Sequence, residues 1–147
     1  MVIWLGIDFG KKRIGLALSD PGESISTPAE TIEASGTVSE DVQRVLRWAA
    51  RNDVAGFVVG RPLNMDGSVG RQARITDLFA ERLREAAGMP VELWDERLSS
   101  YQADEYLDQT ALSPTKRKQL RDALAAHVIL QSFLDARRSD KPANESP

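Results

Sequence analysis

The stretch Val2-Ile3-Trp4-Leu5-Gly6-Ile7-Asp8-Phe9-Gly10 decides how this chain is read. Val2 to Phe9 is almost unbroken apolar, too short for a core helix and closed by a glycine, the pattern of a strand buried on both faces. It is expected at the centre of a sheet. Asp8 stands out near its end, because an enclosed carboxylate is severely desolvated unless a cation or hydrogen-bond donors compensate it. A metal ligand and a salt bridge to Lys11, Lys12 or Arg13, just beyond the turn, both satisfy that requirement.

Working outward, Ile14 to Leu18 reads as a second strand joined through Gly10-Lys11-Lys12 into a hairpin, and residues 24–32 as an edge strand. Thr37-Val38-Ser39-Glu40 is a capping box, and Val38, Val42, Val45, Leu46 and Ala49 mark one face of a helix over about 38–51. Val54 to Val59 is a further buried strand. Ile75, Leu78, Phe79, Leu83 and Ala86 give the apolar face of a second helix, stopped by Gly88 and Pro90, and Val91 to Trp94 is the next strand. Ser99 with Gln102 caps an expected short helix holding Ala103, Tyr106 and Leu107. Ser113-Pro114 opens a last helix running to about Ala136. Residues 137–147 lose the apolar positions and are expected to form a disordered tail. The order predicts one α/β domain over residues 1–136, with a mixed five-stranded sheet and helices packed on both faces.

Composition narrows the chemistry. The chain has 147 residues, 41% hydrophobic and 28% charged, ordinary for one globular domain. With no cysteine and one histidine, disulfides, thiolate sites and a histidine-built zinc site are excluded. Its 22 acidic residues point instead to oxygen-ligated Mg²⁺ or Mn²⁺. No apolar run approaches a membrane span, so the chain is read as soluble and cytoplasmic. A net charge of -3 argues against bulk attraction to nucleic acid, so phosphate contacts must come from local patches.

Two more acidic positions join Asp8. Asp95 and Glu96 end a strand, where ligands collect in parallel α/β sheets, and strand alternation sends their side chains to opposite faces. Alternation does not choose between them, and a capping or solvated pair is the bland reading. Asp122 lies in line with Ala125, Ala126, Ile129 and Phe133, on a stripe that should face the sheet. Its structural alternative is a partly exposed residue in the first half of the helix, favoured by the helix dipole, or one paired with Arg121 or Arg97. Converging, three such carboxylates can hold two divalent ions for in-line attack on a phosphodiester.

Four segments then carry a resemblance: Gly6-Ile7-Asp8-Phe9-Gly10 with Arg13-Ile14-Gly15-Leu16-Ala17; Val59-Gly60-Arg61-Pro62-Leu63-Asn64-Met65-Asp66-Gly67; Asp95-Glu96-Arg97-Leu98-Ser99-Ser100; and Asp122-Ala123-Leu124-Ala125-Ala126 running to Leu134. In this order, over roughly residues 3 to 135, they resemble the YqgF (RuvX) family. The resemblance implies an RNase H-like fold related to RuvC resolvases and a two-metal nuclease site at Asp8, Glu96 and Asp122, choosing Glu96 over Asp95. It implies action on the precursor of 16S rRNA or on four-way DNA junctions; two matched junction cuts suit a symmetric homodimer, whereas trimming one RNA end needs only a monomer. The family usually has an acidic residue before the second glycine of the second motif, where this chain has Val69 in Gly67-Ser68-Val69-Gly70.

Around the carboxylates, Arg61, Asn64, Arg71 and Arg74 border a glycine-containing loop that leads into a helix N-terminus, a phosphate-binding arrangement whose bland reading is a simple turn. Arg97 and Ser99 pose the same choice beside Glu96. Lys116, Arg117 and Lys118, with Arg121, oppose the dipole of the last helix and suit a nucleic-acid backbone or a solvated face. Lys11 and Arg13 are placed to steer a phosphate. His127 reads as a packed or rim histidine, and Trp4, Trp94, Phe9 and Tyr101 read as core before base-stacking partners. Two other functions compete. Gly6 to Gly10 can be a kinase-type or actin-type phosphate loop, although such proteins need a second domain, and the fold can serve as a non-catalytic module docking on structured nucleic acid.

Overall fold

The computed structural model describes residues 2–98 and 113–139, with backbone alone for 115–119 and 139. Strands β1 (Trp4–Phe9), β2 (Arg13–Ser19), β3 (Ser26–Glu33), β4 (Gly56–Arg61) and β5 (Val91–Asp95) form one sheet in the order β3-β2-β1-β4-β5. The hairpin pairings β1–β2 and β2–β3 are antiparallel, whereas β4 and β5 add parallel to the other side of β1. The apolar opening run therefore sits at the sheet's centre, where both of its faces are covered.

Helices α1 (Val38–Ala50) and α2 (Arg71–Ala87) cover one face, burying Leu5, Ile7 and Phe9 against Val45, Trp48, Phe79 and Leu83. The long helix α3 (Pro114–Ser139) covers the other, packing Ala126, Ile129, Leu130 and Phe133 on Trp4, Ala17 and Val58. Even-numbered β1 residues face α3 and odd-numbered ones face α1 and α2, as a pleat of period two requires. Asp8 thus belongs to the α3 face.

Three local expectations change. Helix α2 buries Ala73, Thr76, Phe79, Ala80 and Leu83, while Leu78 and Ala86 are exposed. Its contact face is turned toward the smaller residues, which allow closer packing on the sheet. At the start of α1, Thr37 accepts from the Glu40 amide, but the Glu40 carboxylate goes to Arg44 and Arg47 instead of closing a capping box. The last helix continues to Ser139, three residues past the expected end. The anticipated helix between residues 99 and 107 lies outside the described residues, as do 140–147.

Candidate nuclease site

The three singled-out carboxylates come from different elements that meet at one end of the sheet. Asp8 stands opposite Gly15 of β2, and Gly60 of β4 follows the partner of Ile7, so glycines flank Asp8 on both sides of its row. Neither glycine has room for more. A Cβ on Gly15 would lie 1.9 Å from the Asp122 carbonyl oxygen, and one on Gly60 would lie 2.8 Å from Glu96 Oε1. The absent side chains let α3 settle on the backbone of β2, bringing Asp122 in, and leave Glu96 the space beside Asp8.

Glu96 opens a short 3-10 turn, Glu96–Leu98, directly after β5. That turn separates the two acids that alternation alone leaves undecided. Asp95 caps it, accepting from the Arg97 amide at 2.9 Å and from the Arg97 guanidinium at 2.7 Å, and this pairing holds its pKa low. Glu96 hydrogen-bonds Asp8 instead.

Burial pushes the Asp8 pKa well above the ordinary carboxylate value, reinforced by the charge of Glu96, their mutual hydrogen bond and the charge of Asp122. Burial also raises Glu96, with its bond to Asp8 acting in the opposite sense and Asp95 adding repulsion. Two enclosed acids in contact disfavour ionising together without a counter-charge, so the pair holds its protons more tightly than free carboxylates do. Among the described residues Asp8 has no cationic partner, and the expected alternative of a bridge to Lys11, Lys12 or Arg13 is not formed. Arg13 pairs with Asp122, Nε to Oδ2 at 2.6 Å, where Arg121 and Arg97 had been the expected partners. As they stand, no three His, Cys, Asp or Glu side chains among the described residues are arranged to grip an ion.

The donor set nevertheless fits a hard divalent cation. All the groups are carboxylate oxygens, and an enclosed pair whose pKa values are raised by burial and mutual repulsion is one that a cation would relieve by displacing protons. Asp122 needs only to exchange its exposed arginine partner.

The predicted phosphate-contacting residues divide into two groups. Arg61 makes a bidentate pair with Asp77 of α2, both contacts at 2.8 Å, and Arg97 joins Asp95 to the carbonyl of Met65. These two guanidinium groups hold the loop and the Glu96 turn in place. Asn64 likewise closes its own turn, donating to Ser68 Oγ at 2.9 Å. Lys11, Lys12, Arg13 and Arg71 are exposed. The first turn of α2 is tied beside the site, with Gln72 Nε2 donating to the Phe9 carbonyl at 3.1 Å, and its N-cap Gly70 provides no side-chain cap. Ser99 and Tyr101 lie outside the described residues, and Lys116, Arg117 and Lys118 are described only as helical backbone. His127 is half-buried and bonded to Ser26 Oγ at 3.0 Å, while Trp4 and Phe9 are core, so none of these three is a site group. The glycine seats at positions 15 and 60 and the Arg13–Asp122 pair were missed in the sequence; the glycines' only signal was their presence within buried strands.

The mixed five-stranded sheet, in the order β3-β2-β1-β4-β5 with helices on both faces, defines the RNase H-like class of fold. The fold agrees with that of T. thermophilus RuvC in complex with Holliday junction substrate, at TM-score 0.61 and 18% identity, covering 95% of this chain and 98% of that one. A family model described as RuvX, Holliday junction resolvase, matches residues 2–136. The chain belongs to the RuvX family. A relative from Rhodopseudomonas palustris strain BisB5, named as a candidate pre-16S rRNA nuclease, is 44% identical over 131 residues, 89% of this chain and 81% of that one. Another from Chloroflexus aurantiacus, with the same name, is 41% identical over 138 residues, 94% and 90% of the respective chains.

Proposed function

We propose that this protein is a divalent-metal-dependent endonuclease acting on precursor 16S rRNA to form its 5′ end, with Asp8, Glu96 and Asp122 as metal ligands. The observation that carries the reading is the enclosed, hydrogen-bonded Asp8–Glu96 pair beside Asp122, in which burial and neighbouring carboxylates raise the Asp8 pKa with no cationic partner to Asp8 among the described residues. The name shared by close relatives supports RNA as the substrate.

Mg²⁺ or Mn²⁺, as two ions, would supply charge neutralisation of the scissile phosphate and an activated water for in-line displacement. The chain's own residues do the rest. Asp8, Glu96 and Asp122 would hold the ions once the protons on the first two and the Arg13 partner of the third are displaced, and Arg13, exposed beside them, would then offer its charge to a substrate phosphate. Lys11 and Arg71 add exposed positive charge near the strand ends, whereas Asp95 and Arg97 fix the turn that aims Glu96. No described helix is long and apolar enough to cross a membrane, and we place the enzyme in the cytoplasm with its rRNA substrate.

The test is cleavage of a labelled precursor 16S 5′ leader and a matched four-way DNA junction with Mg²⁺ or Mn²⁺, each repeated with Asp8→Asn. Metal-dependent cutting of the leader, lost in the variant, is expected. Paired symmetric cuts in the junction alone would replace the RNA assignment with a resolvase, and full activity of folded Asp8→Asn would remove this centre from the chemistry.

A further inference from the structure

We propose that a band of cationic side chains running from the β1–β2 turn onto α1 holds the sugar-phosphate backbone of the RNA beyond the cleavage site. The proposal rests on the nuclease reading above and extends it to Arg44, Arg47 and Arg51, which that reading does not use.

Their spacing, i, i+3 and i+7, puts the three arginines on one face of α1. There they line a hollow of about 530 Å³ against Ile32 and Glu33 of β3. A second hollow, about 450 Å³, is lined by Lys11, Lys12 and Arg13 and shares Glu33 as a wall. Together the two linings hold six cations and one carboxylate. Glu33 lies opposite Arg13 in the sheet, so the two hollows adjoin at that end of β2 and β3, while Arg13 itself turns to Asp122 of α3 at 2.6 Å, across the sheet from α1.

Internal pairing engages three of the six, Arg13 with Asp122 and Arg44 and Arg47 with Glu40, and leaves Lys11, Lys12 and Arg51 outside any ion pair among the described residues. Glu40 is shared between Arg44 and Arg47, at 3.6 and 3.3 Å, and Arg44 also donates to the Glu33 carbonyl at 2.9 Å. The Arg51 side chain makes no hydrogen bond or ion pair among the described residues. A chain of net charge -3 gains such a band by placement, not by composition. The nearby residue Trp48 is only 6% exposed, so it offers no stacking platform. What remains is a surface that engages phosphate charge without reading bases.

The experiment measures binding of the labelled precursor 16S 5′ leader as a function of salt, in the Asp8→Asn background so that the RNA stays intact. Arg47→Gln/Arg51→Gln should lower the slope of log Kd against log salt by about 1.4, at roughly 0.7 per single-strand phosphate contact. A charge-matched control, Arg82→Gln/Arg138→Gln, changes exposed arginines outside the band and should leave the slope as it was. Should the double variant fail to fold, Arg51→Gln alone should give a fall of about 0.7. An unchanged slope in a folded band variant, or an equal fall in the control, overturns the band while leaving the nuclease reading intact if the wild-type protein cuts the leader. Neither binding by the Asp8→Asn protein nor cutting by wild type would overturn both.

Discussion

The contact between Gly15 and α3 gives the sharpest prediction. A Cβ added there would lie 1.9 Å from the Asp122 carbonyl oxygen and 2.3 Å from its carbonyl carbon. The obstacle is backbone, so no side-chain rotation relieves it. To restore even a tight contact of roughly 3 Å the helix must retreat by about 1 Å, because a core at crystal-like packing density absorbs little strain. Overpacking of this kind costs about 1–3 kcal/mol, which lowers Tm by roughly 2–12 °C for a protein of this size. The retreat also carries Asp122 from the other carboxylates, and a misplacement of about 1 Å can cost on the order of 100-fold in rate. The assay pairs thermal unfolding of Gly15→Ala with single-turnover cleavage of the precursor leader. Gly88→Ala is the comparison: Gly88 caps α2 at a φ of +63° with open space around it, so the substitution should cost about 1 kcal/mol without altering the rate. A Gly15→Ala protein as stable and as active as wild type would refute the close-approach argument.

Three further outcomes follow from the site's electrostatics. Asp8 and Glu96 bind protons more tightly folded than unfolded, so the metal-free protein should lose stability as pH rises from their ordinary values, 3.8 and 4.5, through the raised ones. Urea midpoints across that range should show the decline, flattened by Asp8→Asn and opposed by Mg²⁺; stability rising with pH through the same window would contradict the raised pKa values. Arg13→Ala removes an exposed competitor for Asp122 and should tighten Mn²⁺ binding by calorimetry up to about fivefold, the equivalent of about 1 kcal/mol; weaker binding would count against Asp122 as a ligand. Arg61→Ala should lower stability by about 0.5–1 kcal/mol through loss of the Asp77 pair, leaving the salt dependence of RNA binding unchanged, and a lower slope at full stability would restore its phosphate-contacting role.

Much of this architecture is legible in the chain because local signals agree with one another. The apolar opening run, the hairpin glycine and the helical periodicities each specify an element, and strand alternation places Asp8 on a definite face. What alternation cannot supply is how Asp95 and Glu96 part after the strand ends, since a 3-10 turn breaks the period of two. Nor does sequence pattern distinguish an arginine facing phosphate from one facing an aspartate: Arg61 ends β4 beside a loop of phosphate-binding character and turns to Asp77. The face of α2 was misjudged for a related reason, because large apolar residues dominate periodicity whereas Ala73, Thr76 and Ala80 make the close contact. The Arg13–Asp122 pair is invisible to any local rule, as its partners are 109 residues apart in the chain.

That separation has a kinetic meaning. The contact joining the first hairpin to the last helix closes one of the longest loops in the domain, and contacts of high sequence separation are entropically costly to form during folding. A partially folded chain can acquire the hairpin and even α1 while Asp122 remains remote from Asp8. If Asp8 and Asp122 act together as proposed, catalytic competence arrives only with completion of the tertiary structure, and half-folded copies should carry no nuclease activity into a cell full of RNA.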